Sequence, residues 1–251
     1  MGRIRFYTEF TDDFEKPSKQ VHLPDDYAYV RKGFFARILS PLTYGAALLF
    51  SLFYCRLHLH MKIYGKKGIR KAIKNGAFIY GNHTQPIGDV VIPARAVFPK
   101  RIYTVVSPAN YAIPVIGKVL PYLGALPTAE TVSGTKELLK AIKLRISQKK
   151  CVVIYPEAHV WKYYTGIRPF ADTSFKFPVK FKTPAIAMTV TYKKSRIFKK
   201  PLTHVYLDGP FYPPDGVTET EKVRELHRAV RTAMESRSRQ SNFEYIKYVK
   251  K

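Results

Sequence analysis

The chain has 251 residues, of which 46% are hydrophobic and 14% aromatic, enough for one large folded domain with a sizeable core. This composition excludes a disordered chain. The two cysteines, Cys55 and Cys151, exclude a disulfide-stabilised scaffold and favour a reducing compartment. The net charge of +25 predicts attraction to polyanions, either a nucleic acid or an anionic membrane surface.

Residues 1–30 form a polar segment that differs from the rest in charge. They hold four basic and six acidic residues, a balance of −2, which leaves +27 on the other 221 residues. The segment also lacks the apolar core of a secretory signal. We therefore predict that the cationic surface belongs to the remainder of the chain.

Residues 31–56 contain an uncharged apolar run, ILSPLTYGAALLFSLFYC, from Ile38 to Cys55. Arg31, Lys32 and Arg37 precede the run and Arg56 follows it. A full membrane span needs about 20 apolar residues, so this run is marginal for crossing a bilayer. We predict one helix, or two helices broken near Pro41, lying in the membrane interface with cations at head-group level. A buried core helix is the alternative.

From residue 57 onwards the pattern alternates between strands and helices. LHLHMKIY (57–64) has the period of a strand that would place His58 and His60 on one face, although a metal site there lacks a third ligand. A basic turn or short helix follows at 66–76, and strands are predicted at 77–80 and 101–107. Residues 108–127 are punctuated by Pro and Gly, which indicates a loop region with short helical pieces.

The second half repeats this alternation. A helix is predicted at 133–150, buried-type strands at 151–156, 184–192 and 203–212, and a last helix from a capping box made by Thr218 and Glu221. The basic, aromatic tail at 244–251 either lies on a membrane or is frayed. The alternation predicts an α/β domain over 57–251, with a central, mostly parallel sheet flanked by helices.

Two predicted strands end in groups that can exchange protons. FIYGNH (78–83) delivers His83, and VVIYPEAH (152–159) delivers Glu157. Since α/β sheets bind ligands beyond the carboxyl ends of their strands, we expect a site there. No nucleophile elbow, phosphate-binding glycine loop or paired-cysteine metal site accompanies them, so the available chemistry is a histidine base with carboxylates.

Four blocks of the chain resemble the 1-acylglycerol-3-phosphate acyltransferase family. They are Asn82-His83 with Asp89, GALPT (124–128), YPEA (155–158) and TPAIAMTV (183–190), and they occur in that family's order. The resemblance covers roughly residues 58–212. It implies an acyltransferase that moves a fatty acyl group from an acyl-CoA or acyl carrier protein thioester to a lysophospholipid-type acceptor, most plausibly 1-acylglycerol-3-phosphate, without metal or cofactor.

The resemblance also implies roles for particular residues. His83 accepts the proton of the acceptor hydroxyl, and Asp89 holds the imidazole in the required tautomer. Backbone N–H groups in the turn from Asn82 to Gln85 would stabilise the oxyanion. Asn82 and Glu157 are expected beside the substrate, although each could equally serve its own turn. Trp161 is predicted to pack.

The chain departs from the family in three places. His83 and Asp89 have five residues between them and not four. Thr128 stands where the second block has an arginine, and residues 158–161 read AHVW in place of Gly-Thr-Arg-Ser. Both arginines associated with the acceptor's phosphate are therefore missing, and Lys162 and Arg168 are the candidate substitutes.

The expected location is the cell membrane, as a peripheral or monotopic protein with its active site on the cytoplasmic side. Its partners would be an anionic phospholipid membrane, the thioester donor and the lysolipid acceptor. A non-catalytic, basic lipid-binding protein with the same fold is the alternative. Nucleic-acid binding explains the charge but not the apolar run from Ile38 to Cys55, and no recognition motif supports it.

Overall fold

We describe the protein from a computed structural model that covers residues 3–15, 21–31 and 33–251. The strands are β1 (Arg3–Tyr7), β2 (Lys62–Tyr64), β3 (Ala77–Gly81), β4 (Ile102–Val106), β5 (Ala125–Pro127), β6 (Cys151–Ile154), β7 (Ala185–Lys193), β8 (Leu202–Phe211) and β9 (Ile246–Lys250). The helices are α1 (Phe34–Phe53), α2 (Lys66–Lys74), α3 (Gly88–Ala96), α4 (Ile116–Leu123), α5 (Val132–Ser147), α6 (Lys176–Lys180) and α7 (Glu219–Ser238). The expectations for part of the segment 1–30 and for Lys32 as a flanking cation lie outside the described residues.

Seven strands form one sheet in the order β2-β8-β7-β3-β6-β4-β5. All neighbours are parallel except β7 and β8, which are antiparallel. β3 is buried at every position, as expected for a central parallel strand with helices on both faces. The predicted α/β fold with a mostly parallel sheet is confirmed, and its architecture brings the carboxyl ends of β7, β3, β6, β4 and β5 to one edge.

The two faces of the sheet carry separate cores. On one face, apolar side chains of α2 and α3, such as Ile69 and Ile92, pack on strand residues such as Ile79. On the other face, α5 and α7 contribute Ile142 and Val230. The capping box predicted at Thr218 is present at the start of α7.

α1 is a single helix that runs through Pro41 and continues as a π-helical turn from Tyr54 to His58. The stretch Phe34–His58 has a mean hydropathy of 1.6, and only 11% of its apolar window is buried. It is the one helix among the described residues that is long and apolar enough to cross a membrane. The predicted apolar helical segment is therefore present and largely uncovered.

Two elements differ from prediction. The stretch predicted as a strand at 57–64 is a strand only over Lys62–Tyr64, because Cys55 and Leu59 bury themselves at the four-residue spacing of a helix. His58 and His60 therefore do not share a strand face, and no group of potential metal ligands is found within the described part of the chain. The tail is neither frayed nor free, since β9 pairs in parallel with β1.

Candidate active site

His83 and Asp89 meet at the carboxyl end of β3. His83 follows the strand by two residues, and its Nδ1 lies 2.7 Å from the Asp89 Oδ2 atom. The His83 side chain is 19% exposed and that of Asp89 is 2% exposed. Within the described ranges, the His83 Nε2 atom has no hydrogen-bond partner, so the imidazole presents one nitrogen outward while the buried carboxylate holds the other.

The extra residue between His83 and Asp89 is absorbed by the turn before α3. Asp89 lies in the first turn of this helix, and its N–H donates to the Gln85 carbonyl at 2.7 Å. A Cβ on Gly88 would lie 2.6 Å from the Cβ of Gln85, so glycine permits this close approach. With five residues between His83 and Asp89, the carboxylate therefore still reaches the imidazole.

The Asp89 carboxylate is held by several donors. Its Oδ2 accepts the Gln85 N–H at 2.8 Å as well as the bond from His83, whereas its Oδ1 is buried without a partner in the described residues. Burial raises the pKa of the Asp89 carboxyl, and hydrogen bonds from His83 and from the backbone at Gln85 and Thr84 oppose that rise. Burial has the larger effect, so the pKa of the Asp89 carboxyl stays above its ordinary value.

Tyr155 is a site residue that the sequence analysis missed. Its ring stacks on the His83 imidazole with centroids 4.5 Å apart, and its hydroxyl donates to the Asp89 carbonyl oxygen at 2.6 Å. Burial and the charge of Asp89 raise the pKa of Tyr155 well above its ordinary value, so the hydroxyl stays protonated. The only available signal was its place at the start of the YPEA block.

Glu157 holds the backbone of His83 and pairs with Arg168. Its Oε2 accepts the His83 backbone N–H at 3.2 Å and a guanidinium N–H of Arg168 at 3.1 Å, while its Oε1 accepts the Arg168 backbone N–H. Ala158, where the resembled family has glycine, takes a φ of +64°, a conformation that glycine adopts without strain. Because it accepts the His83 backbone N–H, Glu157 positions the histidine.

The structure corrects the expectation that Arg168 reads a phosphate. Its side chain is 0% exposed and is paired with Glu157. The guanidinium also donates to the carbonyl oxygens of Phe10 and His159 and lies over the Trp161 ring at 4.9 Å. A guanidinium with these partners ties a loop together and does not face a ligand.

Asn82 is corrected in the same way. Its amide nitrogen donates to the Val190 carbonyl at 3.0 Å, and its amide oxygen accepts the Val190 N–H at 2.8 Å. Since the residue is 1% exposed, both ends of its side chain are used to join the end of β3 to β7. Asn82 is therefore a structural residue of the site.

Three of the four N–H groups expected as oxyanion donors are already engaged. The His83 N–H donates to Glu157, the Gln85 N–H donates to Asp89, and the Thr84 N–H contributes to the hydrogen bonding of Asp89. These three groups fix the geometry of the pair. An oxyanion would need other donors.

Lys162 and Thr128 both lie at the edge of the sheet where His83 lies. Lys162 Nζ pairs with Glu15 at 2.9 Å, and the Lys162 side chain remains 36% exposed. Thr128 follows β5 and is exposed, but β5 is three strands from β3, or roughly 14 Å. Trp161 packs as predicted: it is fully buried against Tyr7 and Phe14 of the N-terminal segment.

An apolar surface begins beside the pair. Ile87 and Val90, on either side of Gly88 and Asp89, are more than half exposed. α1 packs against both α3 and α4, and many of its own apolar side chains are exposed. The large side chains among them are Phe34, Phe35, Ile38, Leu39, Leu42, Leu49, Phe50, Leu52 and Phe53.

Together, the mostly parallel sheet, the apolar helix before it and the helices on both faces describe an α/β fold that can be compared with those of known proteins. No protein-family model matches the chain, and no curated protein matches it. Among solved structures, the chain is similar to the crystal structure of the 1-acyl-sn-glycerophosphate (LPA) acyltransferase PlsC from Thermotoga maritima. The TM-score is 0.57 at 14% sequence identity, over 81% of this chain and 83% of that one.

Proposed function

We propose that the protein is an O-acyltransferase that moves a fatty acyl group from a thioester donor to the hydroxyl of a lysophospholipid-type acceptor. The 2.7 Å contact between His83 Nδ1 and Asp89 Oδ2 carries this proposal. It leaves Nε2 as the base, in a fold shared with a solved acyltransferase. The donor is acyl-CoA or an acyl carrier protein, and no metal takes part.

The residues support direct transfer without a covalent enzyme intermediate. His83 Nε2 accepts the proton as the acceptor oxygen attacks the thioester carbonyl carbon, and Asp89 stabilises the imidazolium that forms. Collapse of the tetrahedral intermediate then breaks the carbon–sulfur bond, and the departing thiolate takes the proton from His83. Glu157 and Tyr155 act as positioning residues, because they touch the imidazole and its backbone.

The apolar surface supports a membrane lipid as the acceptor. Ile87 and Val90 flank Asp89, so a lysolipid lying in a bilayer would reach His83 without leaving it. The positive charge of the chain supports an anionic membrane on the cytoplasmic side, with the protein held at the surface through α1. Within this proposal, 1-acylglycerol-3-phosphate is the first acceptor to test, with Lys162 as the candidate contact for its phosphate.

The test is acyl transfer from a thioester donor to a panel of lysolipids, read by mass spectrometry. His83→Ala should lower the rate by about a hundredfold or more, the usual contribution of a general base. The rate of the Asp89→Asn variant should lie between those of wild type and His83→Ala, because an asparagine there no longer enforces the tautomer of the His83 imidazole. Vesicle binding by both variants should stay at the wild-type level. Activity of His83→Ala near that of wild type would remove the mechanism.

A second candidate, a lipid-binding protein without turnover, is favoured by two observations. Thr128 and Val160 replace the family's arginines, and the backbone donors around His83 are already committed. On this alternative, lysolipid binds but no acceptor in the panel is acylated by wild type. The same assay therefore separates the two functions.

A further inference from the structure

A cationic groove lies at the other end of the sheet from His83. It has a volume of about 230 Å³ and is lined by Arg31, Arg37, Arg101 and Arg145, with no acidic side chain among its lining residues. Arg101 directly precedes β4, level with the residue before β3. His83 is seven residues further along, roughly 23 Å away along the strand direction. The groove is thus separate from the proposed active site.

The four arginines are not neutralised. None of them takes part in a salt bridge within the described residues. Burial lowers the pKa of Arg145, and the positive charge of Arg101 lowers it further. Since like charges held this close repel each other, an anion between them would relieve a cost that the folded chain otherwise bears.

The two inner guanidiniums keep donors available. One terminal nitrogen of Arg101 donates to Ser40 Oγ at 2.7 Å and to the Tyr122 carbonyl at 2.8 Å, while Nη1 has no partner in the parts of the chain that are described. Arg145 Nη1 donates to Gln148 at 3.1 Å, and its Nη2 is likewise without a described partner. Neither of these terminal nitrogens is buried.

Aromatic rings hold these guanidiniums in place. Arg101 lies over Tyr44 and Tyr103, at 4.6 and 5.5 Å from the ring centroids, and Arg145 lies over Tyr103 at 4.3 Å. Cations fixed in this way lose little further side-chain entropy when they bind an anion. Ala36 and Arg37 in the first turn of α1 also line the groove, so the positive end of the helix dipole lies beside it.

We propose that this groove binds a phosphate group. Several guanidiniums with free terminal N–H groups suit the multiple oxygens of a phosphate, which accept paired hydrogen bonds. The groove is smaller than pockets that enclose drug-sized ligands, so it suits a head group. One source is a phospholipid of the surface on which α1 lies, because the exposed Phe34 and Phe35 stand one turn or less from Arg37. The other source is a soluble phosphate compound.

Two arms of one experiment distinguish these sources. In the first, full-length protein binds phosphatidylcholine vesicles that contain either phosphatidate or oleate at matched surface charge. In the second, thermal unfolding is followed with and without inorganic phosphate. The variant is Arg37→Gln with Arg145→Gln. Its matched control, Arg196→Gln with Arg224→Gln, removes the same charge from exposed positions outside the groove.

We expect wild type to prefer phosphatidate over oleate, and the groove variant to bind phosphatidate vesicles roughly tenfold or more weaker, since each cation near an anionic surface contributes about fivefold. The control should lose no more than about threefold. If inorganic phosphate raises the midpoint of thermal unfolding in wild type and control but not in the groove variant, this also supports the proposal and points to a soluble source.

Equal losses by groove variant and control, together with no difference between them in inorganic phosphate, would overturn the proposal. Loss of Arg145 could impair folding, because this side chain packs on Tyr103. Arg37→Gln alone, at an exposed helix position where both residues are good helix formers, then takes its place against Arg196→Gln. Vesicle binding and the effect of inorganic phosphate on thermal unfolding then decide the proposal for this single variant in the same way. Neither measurement follows acyl transfer, so failure of this proposal is distinct from failure of the proposed function.

Discussion

At the scale of single residues, the site is built around the imidazole of His83. Asp89 holds one ring nitrogen, Tyr155 stacks on the ring, and Glu157 takes the backbone N–H. α3 and the segment that follows β6 therefore fix one side chain through three separate contacts. Such overdetermination keeps a proposed base within the small range of positions that proton transfer requires.

The most consequential single contact is the buried ion pair between Glu157 and Arg168. We expect Glu157→Gln to lower the free energy of unfolding by about 3 kcal/mol or more, since it leaves the Arg168 guanidinium buried without a counter-charge. Urea unfolding measures this loss. Glu225→Gln is the control: it breaks an exposed pair with Arg228 and should cost about 0.5 kcal/mol or less. Equal costs for both would show that the buried pair is not what holds this loop.

At the scale of elements, α1 divides into an anchored side and an uncovered side. Tyr44 accepts the Ile102 N–H, and Ser51 and Cys55 are buried, so this helix is part of the folded domain. Deleting residues 1–56 to test membrane binding would therefore remove core residues along with the apolar surface. Substitution on the uncovered side is the cleaner experiment.

We expect Leu42→Glu combined with Leu49→Glu to weaken vesicle binding about tenfold or more. Both side chains are more than half exposed, and burying one leucine in an apolar phase is worth about 1.5 kcal/mol or more. The melting temperature should hardly change, because neither residue is in the core. Co-sedimentation with anionic vesicles is the measurement. Ile197→Glu, at an exposed position outside α1, is the control; if it weakens binding equally, α1 is not the membrane contact.

At the scale of the whole molecule, both chain termini close over one loop. β1 and β9 pair with each other, and Asp13 and Glu15 contact His159 and Lys162. Acidic residues of the first 30 positions thus lie against basic side chains of the remainder. The N-terminal segment is an integral part of the site's support.

Trp161, the single tryptophan, reports on this closure. Its Nε1 donates to the Asp12 carbonyl at 2.7 Å, and rings of the N-terminal segment surround it. Deleting residues 1–15 should therefore shift its fluorescence emission to longer wavelength and raise its quenching by iodide. Asp26→Asn, at an exposed position of the same segment, should change neither. Unchanged emission after the deletion would mean that the segment does not cover Trp161 in solution.

The sequence by itself determined the features that depend on neighbouring residues. Hydrophobic periodicity indicated α5, α7 and the buried strands, and their alternation indicated the parallel sheet, because period and burial are local properties. A histidine after a strand was recognisable for the same reason, and the resemblance to the acyltransferase family indicated Asp89 as its partner. The residues that form the His83–Asp89 pair were thus predictable.

Only the tertiary structure decided what the other polar side chains do. Arg168 was expected to face a ligand, but its partners include Phe10, 158 residues away, and Asn82 bonds to Val190, 108 residues away. The tail became a strand because β1, at the other end of the chain, lies beside it. A charged or amide side chain binds a ligand or braces the fold according to its burial and its partners. Those are set by the packing of distant segments, which no local pattern contains.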